Sequence, residues 1–243
     1  MRRSPILAVL ALLLLAGASP AAELLWEDTF EGDPCGDVPA AWTSFGGNDD
    51  MGCVWNVGSL SCQGRTELGF YGLVGGCWAA GAATPVSRSE VVYVDTFELE
   101  LSVRSGYEPV SGCHGGARAY VGLSTGTNWA DDERGILYID ATGNVTGPGG
   151  VVLAASTLGV CHHAIIGYTR VSPTEIQLQY DVDGNLQTLD LEAAAFEDQL
   201  KYLHIGSLEG STWFDDLSVT REPIALGSMT WGKVKGQYHA DED

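Results

Sequence analysis

The chain has 243 residues, with 12 Lys and Arg against 32 Asp and Glu, a formal charge of −20 at pH 7. A surface this acidic repels phosphate backbones and anionic membranes, which excludes nucleic acid as a partner. No G-x-S-x-G elbow is present, and six cysteines suit bridges better than a thiolate nucleophile, so nucleophilic catalysis finds no support either.

Residues Met1 to Ala21 read as a secretory signal: Arg2 and Arg3 lead, Ile6 to Leu15 form the apolar core, and Ser19-Pro20-Ala21 offers a cleavage site. That apolar run is shorter than the roughly 20 residues of a membrane span, and no later run reaches that length. The expected product is secreted or periplasmic, with no membrane span. Residues 22–222 read as one domain and 223–243 as an appended tail.

All six cysteines, Cys35, Cys53, Cys62, Cys77, Cys113 and Cys161, follow the signal. An even count in an exported chain implies disulfides. Nearness in sequence favours pairs within the first four, whose pattern stays open, and one bond between Cys113 and Cys161. Cys113-His114 with Cys161-His162-His163 also has the donor types for zinc, but oxidation of the sulfurs removes them as ligands.

The first strand is expected in ELLWEDTFEG, Glu23 to Gly32, where Leu24, Trp26 and Phe30 alternate. From Asp33 to Val86 the chain reads as mostly irregular and cross-linked, with strand-like pieces at Val54 to Val57 and Leu68 to Leu73. Within Ser89 to Arg104, Phe97, Leu99, Leu101 and Val103 alternate cleanly with polar residues. A strand at Ala117 to Ser124 and a loop, GTNWADDERG, follow, and then a hairpin from Gly135 to Thr146 turning at Ala141-Thr142-Gly143-Asn144.

The clearest pattern lies in Cys161 to Leu191. Ile176, Leu178, Tyr180 and Val182 share one parity, and Glu175, Gln177, Gln179 and Asp181 the other, which is a strand with one buried face. Ser172-Pro173-Thr174 and Asp183-Gly184-Asn185 are turn signals on either side, so the segment specifies a three-strand antiparallel meander. One helical turn is expected within Leu191 to Leu200, and final strands at Lys201 to Ser207 and Thr212 to Thr220. The fold class is therefore all-β, a two-sheet antiparallel sandwich in which a second sheet covers the apolar face.

WEDTFEG, FELELSVRS, IIGYTRVSPTEIQLQYDVDG and STWFDDLSV together resemble the concanavalin A-like jelly rolls, particularly laminin-G-like domains of exported bacterial proteins. The resemblance implies two stacked sheets, a frequent calcium site, and binding roles toward glycans or proteins. Hydrolases of this fold carry a Glu-x-Asp-x-x-Glu type run, which is absent here: Glu90, Asp95 and Glu98 are spaced differently.

Jelly rolls pair their first and last strands, which would bring Glu27, Asp28 and Glu31, with the carbonyl of Gly32, near Asp215 and Asp216. Calcium takes six to eight such hard oxygens. The bland alternative is solvated acids on an acidic protein. For a sugar, the candidates are Trp129 beside Asn128, Asp131 and Asp132, with Tyr71, Trp78 and Tyr107, since a flat ring rimmed by hydrogen-bonding groups suits a pyranose. Trp26, Trp42, Trp55 and Trp213 are expected in the core. The functional expectation is a non-catalytic module binding carbohydrate, with calcium as its one expected cofactor. Its alternatives are an extracellular adhesive domain that binds protein, and a glycoside hydrolase.

Overall fold

The computed structural model describes residues 22–30, 41–46, 53–56, 66–71, 80–85, 96–105, 118–128, 131–209 and 211–221, with backbone alone for 44–85, 118, 208, 209 and 211. Within them the chain forms β1 (Glu23–Asp28), β2 (Thr43–Gly46), β3 (Cys53–Asn56), β4 (Thr66–Tyr71), β5 (Ala80–Pro85), β6 (Thr96–Ser105), β7 (Arg118–Ser124), β8 (Glu133–Ile139), β9 (Val145–Thr146), β10 (Val152–Ala154), β11 (Cys161–Ser172), β12 (Glu175–Val182), β13 (Asn185–Glu192), β14 (Tyr202–Glu209) and β15 (Ser211–Arg221). They build two antiparallel sheets. The first runs β13-β12-β11-β6-β15-β4-β3, with β1 also on β15, and the second runs β10-β9-β8-β7-β14-β5-β2. Among the described residues only Pro148–Gly150 and Glu197–Gln199 are helical, each a short 3-10 turn, and the second falls where a helical turn was expected.

The meander of β11, β12 and β13 forms as its alternation requires. Ile176, Leu178, Tyr180 and Val182 are buried, and their odd-numbered neighbours are not. Asp183 (φ 53°) and Gly184 (φ 85°) both lie in the left-handed region, as a two-residue type I′ hairpin demands, and Val182 pairs with Asn185 across it. Leu99, Leu101, Val103, Ala164, Ile166 and Tyr168 from β6 and β11 meet Val121, Leu123, Leu137, Leu203 and Ile205 of the second sheet in one core. Each of these side chains is at most 1 % exposed, so replacing a leucine among them by alanine costs about 2 to 5 kcal/mol.

Three expectations need correcting. The stretch from Asp33 to Val86 supplies four strands among the described residues: β3 and β4 overlap the two strand-like pieces expected, and β2 and β5 are additional. β5 was not foreseen because AGAATP has no large apolar side chain to mark a face; its pairing between β14 and β2 makes it a strand. Leu24 is 51 % exposed at the start of β1, while Trp26 and Phe30 are buried, so the inward face begins only at Trp26. Tyr71 ends strand β4 and does not sit in a loop.

Trp26 and Trp42 pack edge to face in the core, 5.5 Å between ring centroids. Trp213 is buried under the guanidinium of Arg104, 4.4 Å from its ring centroid, and lies outside the main core cluster. The side chain of Trp55 is outside the described residues.

Candidate functional site

The first and last strands do pair, β1 on β15. Their acids divide into two groups. Asp28 Oδ1 accepts from the Phe30 N–H at 2.8 Å, and Asp28 Oδ2 accepts from Trp42 Nε1, also at 2.8 Å. This carboxylate ends β1 and fastens the buried tryptophan. Asp215 is 1 % exposed and accepts from the Asp216 N–H, where the β15–β6 register slips. Glu27 and Asp216 instead line an open cleft of 290 Å³ with Thr29, Glu100 and His163. His163 Nε2 lies 2.8 Å from Glu100 Oε1. Glu31 and Gly32 are outside the described residues, and among the described residues no three His, Cys, Asp or Glu are grouped so as to hold a metal. Of the acids expected to hold calcium, Glu27 and Asp216 line this cleft, whereas Asp28 and Asp215 accept the hydrogen bonds given above.

Cys161 is disulfide-bonded. Its expected partner Cys113 lies outside the described residues, as do Cys35, Cys62, Cys77 and the side chain of Cys53. Being adjacent on β11, His162 and His163 face opposite sides: His162 is buried against Asp183, 2.6 Å from Nδ1, and His163 is exposed. Neighbouring strand residues cannot converge on one zinc ion.

The described ends of the loop between β7 and β8 are tied to each other. Thr125 N–H donates to the Asp132 carbonyl at 3.0 Å, and Asn128 N–H to Asp131 Oδ2 at 2.8 Å, so Asp131 folds back to shape the loop. The Gly126 carbonyl accepts from Nε2 of the fully buried His204 at 2.7 Å, and His204 Nδ1 lies 2.8 Å from Glu133 Oε2. These contacts hold the loop on the second sheet and leave Asn128 and Asp132 exposed at its rim. Trp129 itself, Trp78 and Tyr107 are outside the described residues, as is the side chain of Tyr71.

At the opposite end of β8 the structure has a cleft of 500 Å³ that sequence reasoning missed. Tyr138, Asp140, Thr142 and Thr146 line it with polar groups, and Gly147, Gly149 and Gly150 complete the lining. The phenol of Tyr138 lies across Gly135, filling the space a Cβ there would need, and Tyr120 does the same over Gly122. The two rings are neighbours, 5.6 Å apart. Glycine at these positions lets an aromatic ring lie along the sheet.

Asp140 organises the turn that lines the cleft. Its Oδ1 accepts from Thr142 N–H, Thr142 Oγ1 and Asn144 N–H, at 2.8, 2.6 and 3.0 Å, and its Oδ2 from Asn144 Nδ2 at 3.2 Å. Partial burial pushes this carboxyl up, but the bonds from Thr142 and Asn144 outweigh it and hold the group below the usual carboxylate value. The lining therefore carries a fixed negative charge at neutral pH. Burial, with the charge of Glu133, raises the Tyr138 phenol, which stays a neutral donor.

This architecture is a two-sheet antiparallel jelly-roll sandwich. Similar solved structures include an endo-β-1,4-glucuronan lyase from the fungus Trichoderma reesei, 10 % identical, TM-score 0.52, covering 79 % of this chain and 95 % of that one. An endo-1,3-β-glucanase from Streptomyces sioyaensis is 13 % identical, TM-score 0.54, covering 86 % of this chain and all of its own. At such identity the likeness shows the fold. No protein-family model and no curated protein matches the chain.

Proposed function

We propose that this protein is a secreted, non-catalytic module that binds carbohydrate, related in its sandwich to laminin-G-like domains. The observation that carries the reading is the Tyr138 cleft: an aromatic residue, a carboxylate and two threonines line a space of 500 Å³, sufficient for a sugar ring. The neighbours of known fold include two enzymes named for polysaccharides, which supports a glycan as the ligand class.

Those names also favour a second reading, a polysaccharide-cleaving enzyme. A glycoside hydrolase places two carboxyl groups roughly 5 to 10 Å apart across the scissile bond. The described lining of the Tyr138 cleft includes one, Asp140, already held by Thr142 and Asn144. His204, the buried imidazole of the same sheet, engages Glu133 and the Gly126 carbonyl through its two ring nitrogens and does not line this cleft. These features favour binding without turnover.

Two further elements belong to the proposal. One is calcium where β1 meets β15, held by Glu27 and Asp216 with Glu31 and Gly32. The other is a bond from Cys161 to Cys113, which follows the end of β6, the strand that pairs with β11 at Arg104 and Cys161. A glycan array probed with the mature protein, with and without calcium, tests the reading. Binding to one glycan class without release of reducing or unsaturated ends is expected. Release of such ends would turn the assignment to the enzyme, and a blank array would turn it to the protein-binding alternative.

A further inference from the structure

The two sheets end in edge strands that the chain treats differently. β10, at the end of the second sheet, has only three residues and a register slip, and Gln187 Nε2 donates to its Val152 and Leu153 carbonyls at 3.1 Å each. Short length, a bulge and a side-chain cap are the usual protections of a sheet edge. β13, at the end of the first sheet, has eight residues, none of them buried, and among the described residues pairs on one side alone.

Register shows which of its backbone groups face outward. The two-residue turn at Asp183-Gly184 makes Val182 and Asn185 a hydrogen-bonded pair, so Asn185, Gln187, Leu189 and Leu191 direct their N–H and C=O groups toward β12. Leu186, Thr188, Asp190 and Glu192 then direct theirs away from the sheet. Arg134 Nη2 caps the Glu192 carbonyl at 3.1 Å, which closes that end. The N–H and C=O groups of Leu186, Thr188 and Asp190 remain as an open ladder, with Leu186 77 % exposed beside it.

Charge identifies what suits this ladder. Glu175 and Glu192 sit directly opposite each other on β12 and β13, both exposed, and with Asp190 they line a groove of 670 Å³ that also contains Val171, 57 % exposed. Like charges facing across a strand pair repel. Asp190 accepts from Gln177 Nε2 at 2.8 Å, and among the described residues no cationic side chain lines the groove, the nearby Arg134 being paired with Glu197. A second copy of the chain, net charge −20, would add to the repulsion.

We propose that β13 is a docking edge for a basic, extended polypeptide segment that adds a strand to the first sheet. Its backbone pairs with Leu186, Thr188 and Asp190, and its Lys or Arg side chains enter the groove between Asp190, Glu192 and Glu175. In antiparallel addition, the residue opposite Asp190 stands four places from the residue opposite Leu186. The segment recognised therefore has a basic and an apolar residue at i and i+4.

The test is amide hydrogen exchange and fluorescence anisotropy on the mature protein with a capped, threonine-rich decapeptide carrying Lys at i and Val at i+4, and the same peptide with Glu in place of Lys as control. The Lys peptide is expected to slow exchange at the Leu186, Thr188 and Asp190 amides and to bind more weakly as salt rises. Thr188→Pro, tolerated because that N–H faces outward, should weaken binding by at least about tenfold at unchanged melting temperature. Asp190→Asn with Glu192→Gln should weaken it while leaving the ladder intact. Equal binding of the Glu peptide, no binding of the Lys peptide, or indifference to Thr188→Pro overturns the proposal. Slowed exchange at the three amides on raising protein concentration alone assigns the edge to a second copy and also overturns it.

Discussion

Arg134 on β8 and Glu197 in the 3-10 turn before β14 form an ion pair, Nε to Oε1 2.6 Å, whose carboxylate is completely buried. Glu197 Oε2 also accepts from the Tyr168 hydroxyl at 2.9 Å, so this one acid ties β11 of the first sheet to β8 of the second. Removing the carboxylate leaves a mostly buried guanidinium and a buried phenol without their acceptor. Glu197→Ala should therefore cost about 3 to 5 kcal/mol, measured by urea unfolding. A loss under about 1 kcal/mol would show that the cluster relaxes to water.

The same cluster sets the alkaline limit of stability. Burial raises the Tyr168 phenol well above its usual value, with the charge and hydrogen bond of Glu197 adding, and burial does the same to Tyr180, with Tyr138 adding. A pKa higher in the folded than in the unfolded chain gives stability that is complete below the unfolded value, about 10, and is lost as pH rises beyond it. Stability should thus be flat through neutral pH and fall above about pH 10. Tyr168→Phe should make that fall shallower; an unchanged slope would place the alkaline sensitivity elsewhere.

Asn144-Val145-Thr146 matches a glycosylation acceptor, but Asn144 is structurally engaged. Its Nδ2 donates to Thr142 Oγ1 at 2.7 Å and to Asp140 Oδ2 at 3.2 Å, and its Oδ1 accepts from the Ser156 N–H at 3.0 Å. The folded protein should be a poor acceptor for an oligosaccharyltransferase, checked by the intact mass after secretion from a glycosylating host. Asn144→Ala should destabilise by about 1 to 3 kcal/mol through the hydrogen bonds it leaves unmade.

Calcium at the β1–β15 junction should raise the melting temperature, because an ion bound by the folded state alone stabilises it by about 2.7 kcal/mol at a hundredfold excess over Kd. Glu27→Gln with Asp216→Asn should abolish the response. A melting temperature indifferent to calcium and to chelator removes the ion from the account.

The strands from Cys161 to Glu192 were legible because one face meets the core and the other meets water, which writes a period of two into the residues. β2 and β5 were not, since AGAATP carries no amphipathic mark and exists as a strand through its neighbours on the sheet. Acids near the first and last strands were identifiable, but which of them stay available was not: Asp28 looks like Glu27 until the Trp42 indole arrives from another part of the chain. Tyr138 was hidden because Ile136, Leu137 and Ile139 around it are all buried, so the run ILYI shows no alternation. The register slip of β8 against β7 causes this. The Gly135 to Tyr138 spacing is the signal that was present and unused.

The most direct measurement of the central claim is calorimetric titration of the best array glycan into wild-type, Tyr138→Ala and Tyr138→Phe proteins. Stacking on the Tyr138 ring predicts that Tyr138→Ala weakens binding by at least about tenfold while Tyr138→Phe, which keeps the ring, retains most of it. Equal affinity of Tyr138→Ala and wild type, with both proteins folded by circular dichroism, would contradict a carbohydrate site in this cleft.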